Sequence, residues 1–290
     1  MKAQDLFQDV TNKIIEQIEA GDLPVWQKCW NGYGAFPLRH DESDYSGGNI
    51  LMLWIASMAK GYTQPIWMTF KQAEKIGAKV KKGEKGTHVY YYDHGVKENA
   101  ETGEKTSFAF AKCYSVFNVE QIDGLPEKYI KPVKNIKNPD EKDVGIFNMI
   151  LASGAKFQHN KGMGNYYSPK ADVINLEHFE DFHSAHDYYA TAFHELVNWT
   201  GAESRLNRGL VTKKYTSEYA FEELVAELGS AFLCAKLGIS SEPRKDHAVY
   251  LASWLKAFKD DKQFLFKAAS QASKAVDFIL NNTKQEELAA

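Results

Sequence analysis

The sequence predicts a two-domain α+β fold. Three observations carry that prediction: a first part that mixes helix and strand patterns, a proline- and lysine-bearing stretch from Gln121 to Lys142, and a last part that is mostly helical in pattern. With 290 residues, 44% of them hydrophobic, the chain can build sizeable cores. The predicted division is 1–120 for the first domain, 121–142 for a linker and 143–290 for the second domain.

Leu6, Val10, Ile14 and Ile18 recur every fourth residue and mark one stripe of an amphipathic helix that stops near Gly21. Leu23 to Gly48 follows as a loop rich in aromatics, glycine and proline. Asn49 to Lys60 reads as a helix capped by Asn49 and ended by Gly61, and Thr69 to Ile76 as a shorter one ended by Gly77. Thr87 to Asp93 and Ser107 to Asn118 are rich in Tyr, Phe and Val with partial alternation, so they read as strands joined by a polar loop, Gly95 to Thr106. The linker carries Pro126, Pro132 and Pro139. The second domain opens with a helix over Asp143 to Ser153. Short strands follow near Ala155 to His159, Tyr166 to Ser168 and Val173 to Asn175. Helices then cover Ser184 to Trp199, Glu218 to Lys236, Pro243 to Lys259 and Lys262 to Asn281.

A formal charge of −3 points to no partner by itself. Cys29, Cys113 and Cys234 are widely spaced with no CxxC pair, which argues against a disulfide framework or zinc ribbon and fits a reducing cytoplasm. The first residues show no basic-then-apolar leader, and no apolar run reaches the length of a membrane span. The expectation is a cytoplasmic protein without membrane contact.

His194-Glu195 lies inside a helix with apolar periodicity. In the HExxH pattern two histidines one helical turn apart face one metal ion, and the intervening Glu takes the proton of the attacking water. Here Asn198 stands where the second histidine belongs. A later helix carries Glu223 and Glu227 on one face, and carboxylates on a largely buried helix need a partner or a metal. The favoured assignment makes Glu195 the catalytic base. Glu223 is a ligand beside His194 and Asn198, and Glu227 holds the imidazole from behind. The reverse assignment of Glu223 and Glu227 stays open.

The first domain carries Trp26, Trp30, Tyr33, Phe36, Tyr45, Trp54, Tyr62 and Trp67, followed by Lys71, Lys75, Lys79, Lys81, Lys82 and Lys85. Rings interleaved with cations suit single-stranded nucleic acid: bases stack, and lysines meet phosphates. Core packing of the aromatics, with lysines on a solvated face, is the competing reading. Trp26, Tyr45 and Trp67 are favoured for stacking because they sit in or beside loops. Gly47 and Gly48 predict a turn whose amides approach a phosphate. Lys82 and Lys85 flank a glycine turn suited to phosphate contacts.

Tyr188 to Arg208 reads YYATAFHELVNWTGAESRLNR, and Glu222 to Cys234 reads EELVAELGSAFLC. Together these strings resemble the ArdC-type antirestriction proteins of conjugative plasmids, whose first string is close to YYATxFHELxHWTGxxxRLNR. The likeness extends to Pro24-Val25-Trp26, to Tyr45 through Asn49, to Trp67 through Phe70 and to Gly77 through Gly86. The resemblance implies an N-terminal single-stranded-DNA-binding domain, with Asn49 among its contacts, and a C-terminal zincin-like metallopeptidase domain binding Zn²⁺. It implies protection of incoming plasmid DNA from host restriction during conjugation. The implied partners are single-stranded DNA, with double-stranded DNA a further candidate, and an unidentified protein substrate.

Asn198 departs from the pattern at a ligand, and an amide oxygen is a harder, weaker donor than imidazole. Three readings follow: a residue engineered or selected to silence the site; a natural variant that holds a metal through its carbonyl, Mn²⁺ rather than Zn²⁺; or replacement by His183 or His186, neither of them one turn from His194. The expectation is weak or absent peptidase activity. An active DNA-associated metallopeptidase and a non-enzymatic DNA binder with a scaffold zincin domain are the alternatives. Arg205 and Arg208 are expected to pair with acids or to anchor substrate. Tyr166 and Tyr167 are expected to line the cleft or the core, and His247 to be structural.

Overall fold

The computed structural model describes residues 3–22, 24–28, 35–98, 105–131, 143–211, 216–239 and 248–289. Cys29, Trp30, Tyr33 and His247 lie outside the described residues. The fold is two-domain α+β. In the first domain α1 (Ala3–Glu19), α2 (Val25–Lys28), α3 (Gly48–Lys60) and α4 (Phe70–Lys75) surround short strands and one long ribbon. Strands β1 (Leu38–Arg39), β2 (Ile66–Met68), β4 (Thr87–Glu98) and β5 (Lys105–Asn118) form a sheet in the order β1-β2-β5-β4, while β3 (Lys79–Val80) pairs with β6 (Ile122–Asp123). The register runs from Thr87 opposite Val116 to Glu98 opposite Lys105, so the ladder extends into the predicted polar loop. Backbone pairing needs no apolar alternation, which is why that sequence hid it.

The predicted linker is ordered over its first half. Ile122 and Tyr129 bury with Ile66, Met68, Ala73 and Ala78 in a small satellite core. Residues 132–142 lie outside the described set.

The second domain starts with α5 (Val144–Leu151) and a three-stranded sheet of β7 (Lys156–Gln158), β8 (Tyr166–Ser168) and β9 (Val173–Asn175), ordered β7-β9-β8. Among the described residues, helices α6 (Ala185–Thr200), α7 (Ser217–Leu237), α8 (Ala248–Asp260) and α9 (Phe264–Ala289) follow. Ser184 caps α6 by accepting from the Asp187 N–H, and Thr216 caps α7 by accepting from the Tyr219 N–H. Helices α6 and α7 come close because Gly229 has no side chain: a Cβ there would lie 2.6 Å from Val197 Cγ2. The Ser230 hydroxyl donates to the Ala190 carbonyl across the same contact at 2.8 Å.

The two domains share one continuous core. Trp54 and Phe36 meet Phe232 of α7 edge-on, at 5.6 and 6.4 Å between ring centres, and Trp26 meets Trp254 of α8 at 6.4 Å. Phe7 and Tyr90 pack on Phe266 of α9.

Candidate metal centre and nucleic-acid surface

His194 projects from the third turn of α6 and is buried. Its Nε2 lies 3.6 Å from Glu223 Oε2, and its Nδ1 lies 3.5 Å from Glu227 Oε1. One turn separates the two carboxylates on α7, so they hold the imidazole from its two nitrogens. Both distances are long for direct hydrogen bonds. Two donors each about 2.1 Å from one ion at the tetrahedral angle stand about 3.4 Å apart, so the gap from Nε2 to Glu223 has the width of a shared cation. Burial pushes the Glu223 carboxyl up, but His194 and the Tyr219 hydroxyl outweigh it and hold the group below its ordinary value. Tyr219, one turn before Glu223, escaped the sequence reading; its spacing was the available signal.

Glu195 is also buried. Its Oε2 accepts the Tyr167 N–H of β8 at 2.9 Å, and the Asn198 amide Nδ2 stands 3.4 Å from the same oxygen. Thus β8, at an edge of its sheet, faces the Glu195 carboxylate. Among the described residues no three His, Cys, Asp or Glu side chains converge as a metal cluster. Glu223 and His194 form one pair of donors, Glu227 lies on the far nitrogen, and residue 198 supplies only an amide. His194 and Glu223 are thus the one pair of strong donors placed to share a divalent ion among these residues. His186 sits in the first turn of α6, and His183 precedes the helix.

The surrounding residues are structural. Arg208 donates to Glu222, to the Thr200 hydroxyl and to the Val197 carbonyl, locking the segment after α6 onto α7. Arg205 stacks 4.1 Å over Trp199 and pairs with Asp172. The Tyr167 hydroxyl donates to Asp172 at 2.8 Å and accepts from Arg205 at 2.9 Å; burial, with Asp172, pushes it up to about 12. Both sides of that hydroxyl are therefore engaged within the fold.

The first domain corrects the expected DNA contacts. Trp26, Tyr45 and Trp67 are 0%, 3% and 1% exposed, so their rings are core and offer no face for a base. Proximity to a loop did not reveal that Trp26 would meet Trp254 of α8, or that Trp67 would pack on Tyr62. Asn49 is likewise buried. It lies inside α3, whose cap is Gly47, and its amide exchanges two hydrogen bonds with the Tyr90 backbone, at 2.7 and 3.0 Å, as a neighbouring strand would. The glycine turn is also occupied. The Gly47 N–H donates to Ser273 Oγ at 2.8 Å, and a Cβ on Gly48 would lie 2.1 Å from the Phe266 ring. Lys82 and Lys85 are exposed, as are Lys71, Lys75 and Lys79, and Phe70 stands 54% exposed at the start of α4.

Residues 4–117 match the family model described as the N-terminal domain of anti-restriction factor ArdC, and residues 146–271 match a zincin-like metallopeptidase. The metal-free crystal structure of the antirestriction protein ArdC from plasmid R388 is 41% identical, with a TM-score of 0.85, covering 97% of this chain and 98% of that one. The chain belongs to the ArdC family of antirestriction proteins. The Mn(II)-bound structure of the same R388 protein is 40% identical, with a TM-score of 0.81 over 96% of this chain and 98% of that one. An uncharacterised protein, y4eC, of Sinorhizobium fredii is 35% identical over 95% of this chain and 91% of its own length. DNA primase TraC of Escherichia coli is 38% identical over 94% of this chain, which spans 27% of that primase's length. Among the described residues no helix is long and apolar enough to cross a membrane.

Proposed function

We propose that this chain binds single-stranded DNA through its first domain, residues 1–120, and protects incoming plasmid DNA from host restriction during conjugation. Its second domain, residues 143–290, is a metal-dependent peptidase domain weakened at residue 198. The protein acts in the cytoplasm. Double-stranded DNA is a secondary ligand, and a DNA-bound protein is the partner of the cleft. The observation that carries this reading is the two-sided grip on His194, at 3.6 Å from Glu223 and 3.5 Å from Glu227, in a chain that matches ArdC nearly end to end.

His194 and Glu223 would hold a divalent ion, with the Asn198 carbonyl as a weak third donor and Glu227 fixing the imidazole tautomer. A bound ion would supply Lewis-acid polarisation of a substrate carbonyl and of the attacking water. Glu195, fixed by the Tyr167 N–H, would serve as the base for a water attacking the peptide. The edge position of β8 suits an extended peptide, aligned beside Glu195. Mn²⁺ suits an oxygen-rich donor set better than Zn²⁺ does. On the DNA side, the exposed lysines from Lys71 to Lys85 and the ring of Phe70 support electrostatic, sequence-tolerant binding.

The test is a mating assay against a restricting host with the native chain and Glu195→Ala. Equal protection by both assigns antirestriction to DNA binding. Loss of protection in Glu195→Ala would assign it to peptidase chemistry. No protection by the native chain would remove the antirestriction reading.

A further inference from the structure

A cavity of about 470 Å³ opens between Ser46, Gly47 and Asn49 of the first domain and helix α9 of the second. That volume suits a ligand the size of one nucleotide unit. Phe7, Tyr90 and Phe266 give it an apolar floor, and Gln263, Ser270 and Gln271 line it with donors. Arg39, Lys267 and Lys274 bring cations to it, against Asp277 on the same helix. Lys267 is tied to Asp261 at 2.8 Å. Lys274 is exposed and has no ion-pair partner among the described residues. Arg39 bonds to the Asp44 carbonyl and the Ser43 hydroxyl, neither of which neutralises its charge.

Tyr91 also lines the cavity. It is 43% exposed, whereas its neighbour Tyr90 is buried. Lys112 stands opposite Tyr91 in the β4–β5 register, with its Nζ 5.7 Å over the ring, and Tyr114 meets that ring edge-on at 5.7 Å. A partly exposed ring with cations around it is the unit that single strands use: a base on the ring, phosphates on the cations.

We propose that single-stranded DNA threads this inter-domain groove, its backbone on Arg39 and Lys274 and one base stacked on Tyr91. The proposal rests on the DNA-binding reading above and adds a route to it. The site is composite: α9 belongs to the peptidase-type domain, so the first domain alone lacks half of it. Gly48 then has a positional role. By admitting Phe266, Gly48 sets α9 at the distance that leaves the groove open.

The experiment is fluorescence anisotropy of the full chain with labelled oligo(dT) across a salt series. Tyr91→Ala should weaken binding at least about fivefold. Lys274→Glu should weaken it about tenfold at low salt and flatten the dependence of log affinity on log salt by about one unit. Lys274→Gln removes only the charge and should flatten the slope in the same way, which guards against a folding artefact. Lys170→Glu, on an exposed turn of the second domain, should bind as the native chain does. If the native chain binds and the Tyr91 and Lys274 variants match it, the groove is wrong and DNA binding lies elsewhere. If the native chain shows no salt-sensitive binding, the DNA reading itself falls and the groove falls with it.

Discussion

The α6–α7 cleft and the aromatic cluster of the first domain are both dense in chemistry-bearing residues, yet they differ in how the fold uses them. In the cleft, one helical turn relates Glu223 to Glu227, and both meet His194. In the cluster, Trp26, Trp54 and Phe36 face outward from their own domain and are then covered by Trp254 and Phe232 from the other. Helix spacing is a local property that the chain carries with it. Exposure of a ring is a global property, decided by helices distant in sequence.

The largest expected effect tests that contrast. Trp26→Ala should cost about 3–5 kcal/mol in denaturant unfolding, because it empties a fully buried inter-domain contact. DNA affinity per folded molecule should be unchanged. Native stability with lost DNA binding would return Trp26 to the DNA surface.

On the cleft side, Arg208→Leu should cost about 3 kcal/mol, since it strands the Glu222 carboxylate next to the site. Thermal melting measures this, and a neutral result would mean that the pair does not hold α7 in place. Gly48→Ala is expected to cost about 1–3 kcal/mol by overpacking Phe266. Wild-type melting would show that α9 shifts freely and that the glycine is not a packing residue.

The smallest effect is a pH dependence at Asp172. The Arg205 hydrogen bonds outweigh partial burial and hold its carboxyl below the ordinary value. A depressed folded value stabilises above the unfolded pKa, about 3.9, and that stabilisation disappears as the pH falls through the lowered value. Half-exposed as it is, the pair contributes at most about 1 kcal/mol. The melting difference between the native chain and Asp172→Asn should therefore shrink below about pH 4; a constant difference would reject the pairing as its source.

Much of the second domain was legible for the same local reason. The strands at Tyr166 to Ser168 and Val173 to Asn175 match their predicted bounds, and α6 and α7 differ from theirs by a residue at each end. The first domain was harder. Asn49 looked like a helix cap, but its amide serves the Tyr90 backbone on the edge strand β4. Gly47 and Gly48 looked like a phosphate turn, but the Gly47 N–H is taken by Ser273 of α9 and Gly48 makes room for Phe266 of the same helix. In both cases the deciding partner lies far along the chain. Tyr219 and the Tyr167 N–H were missed differently: one is a neighbour at helical spacing that carries no motif, and the other is a backbone group invisible to side-chain patterns.

If His194 and Glu223 hold a divalent ion as proposed, residue 198 sets how tightly they hold it. Metal titration of the native chain and of Asn198→His, with Zn²⁺ and Mn²⁺ in turn, tests it most directly. The native protein should bind zinc substoichiometrically, and restoring imidazole should raise zinc affinity at least about tenfold. Full zinc occupancy in the native chain, unchanged by Asn198→His, would contradict it.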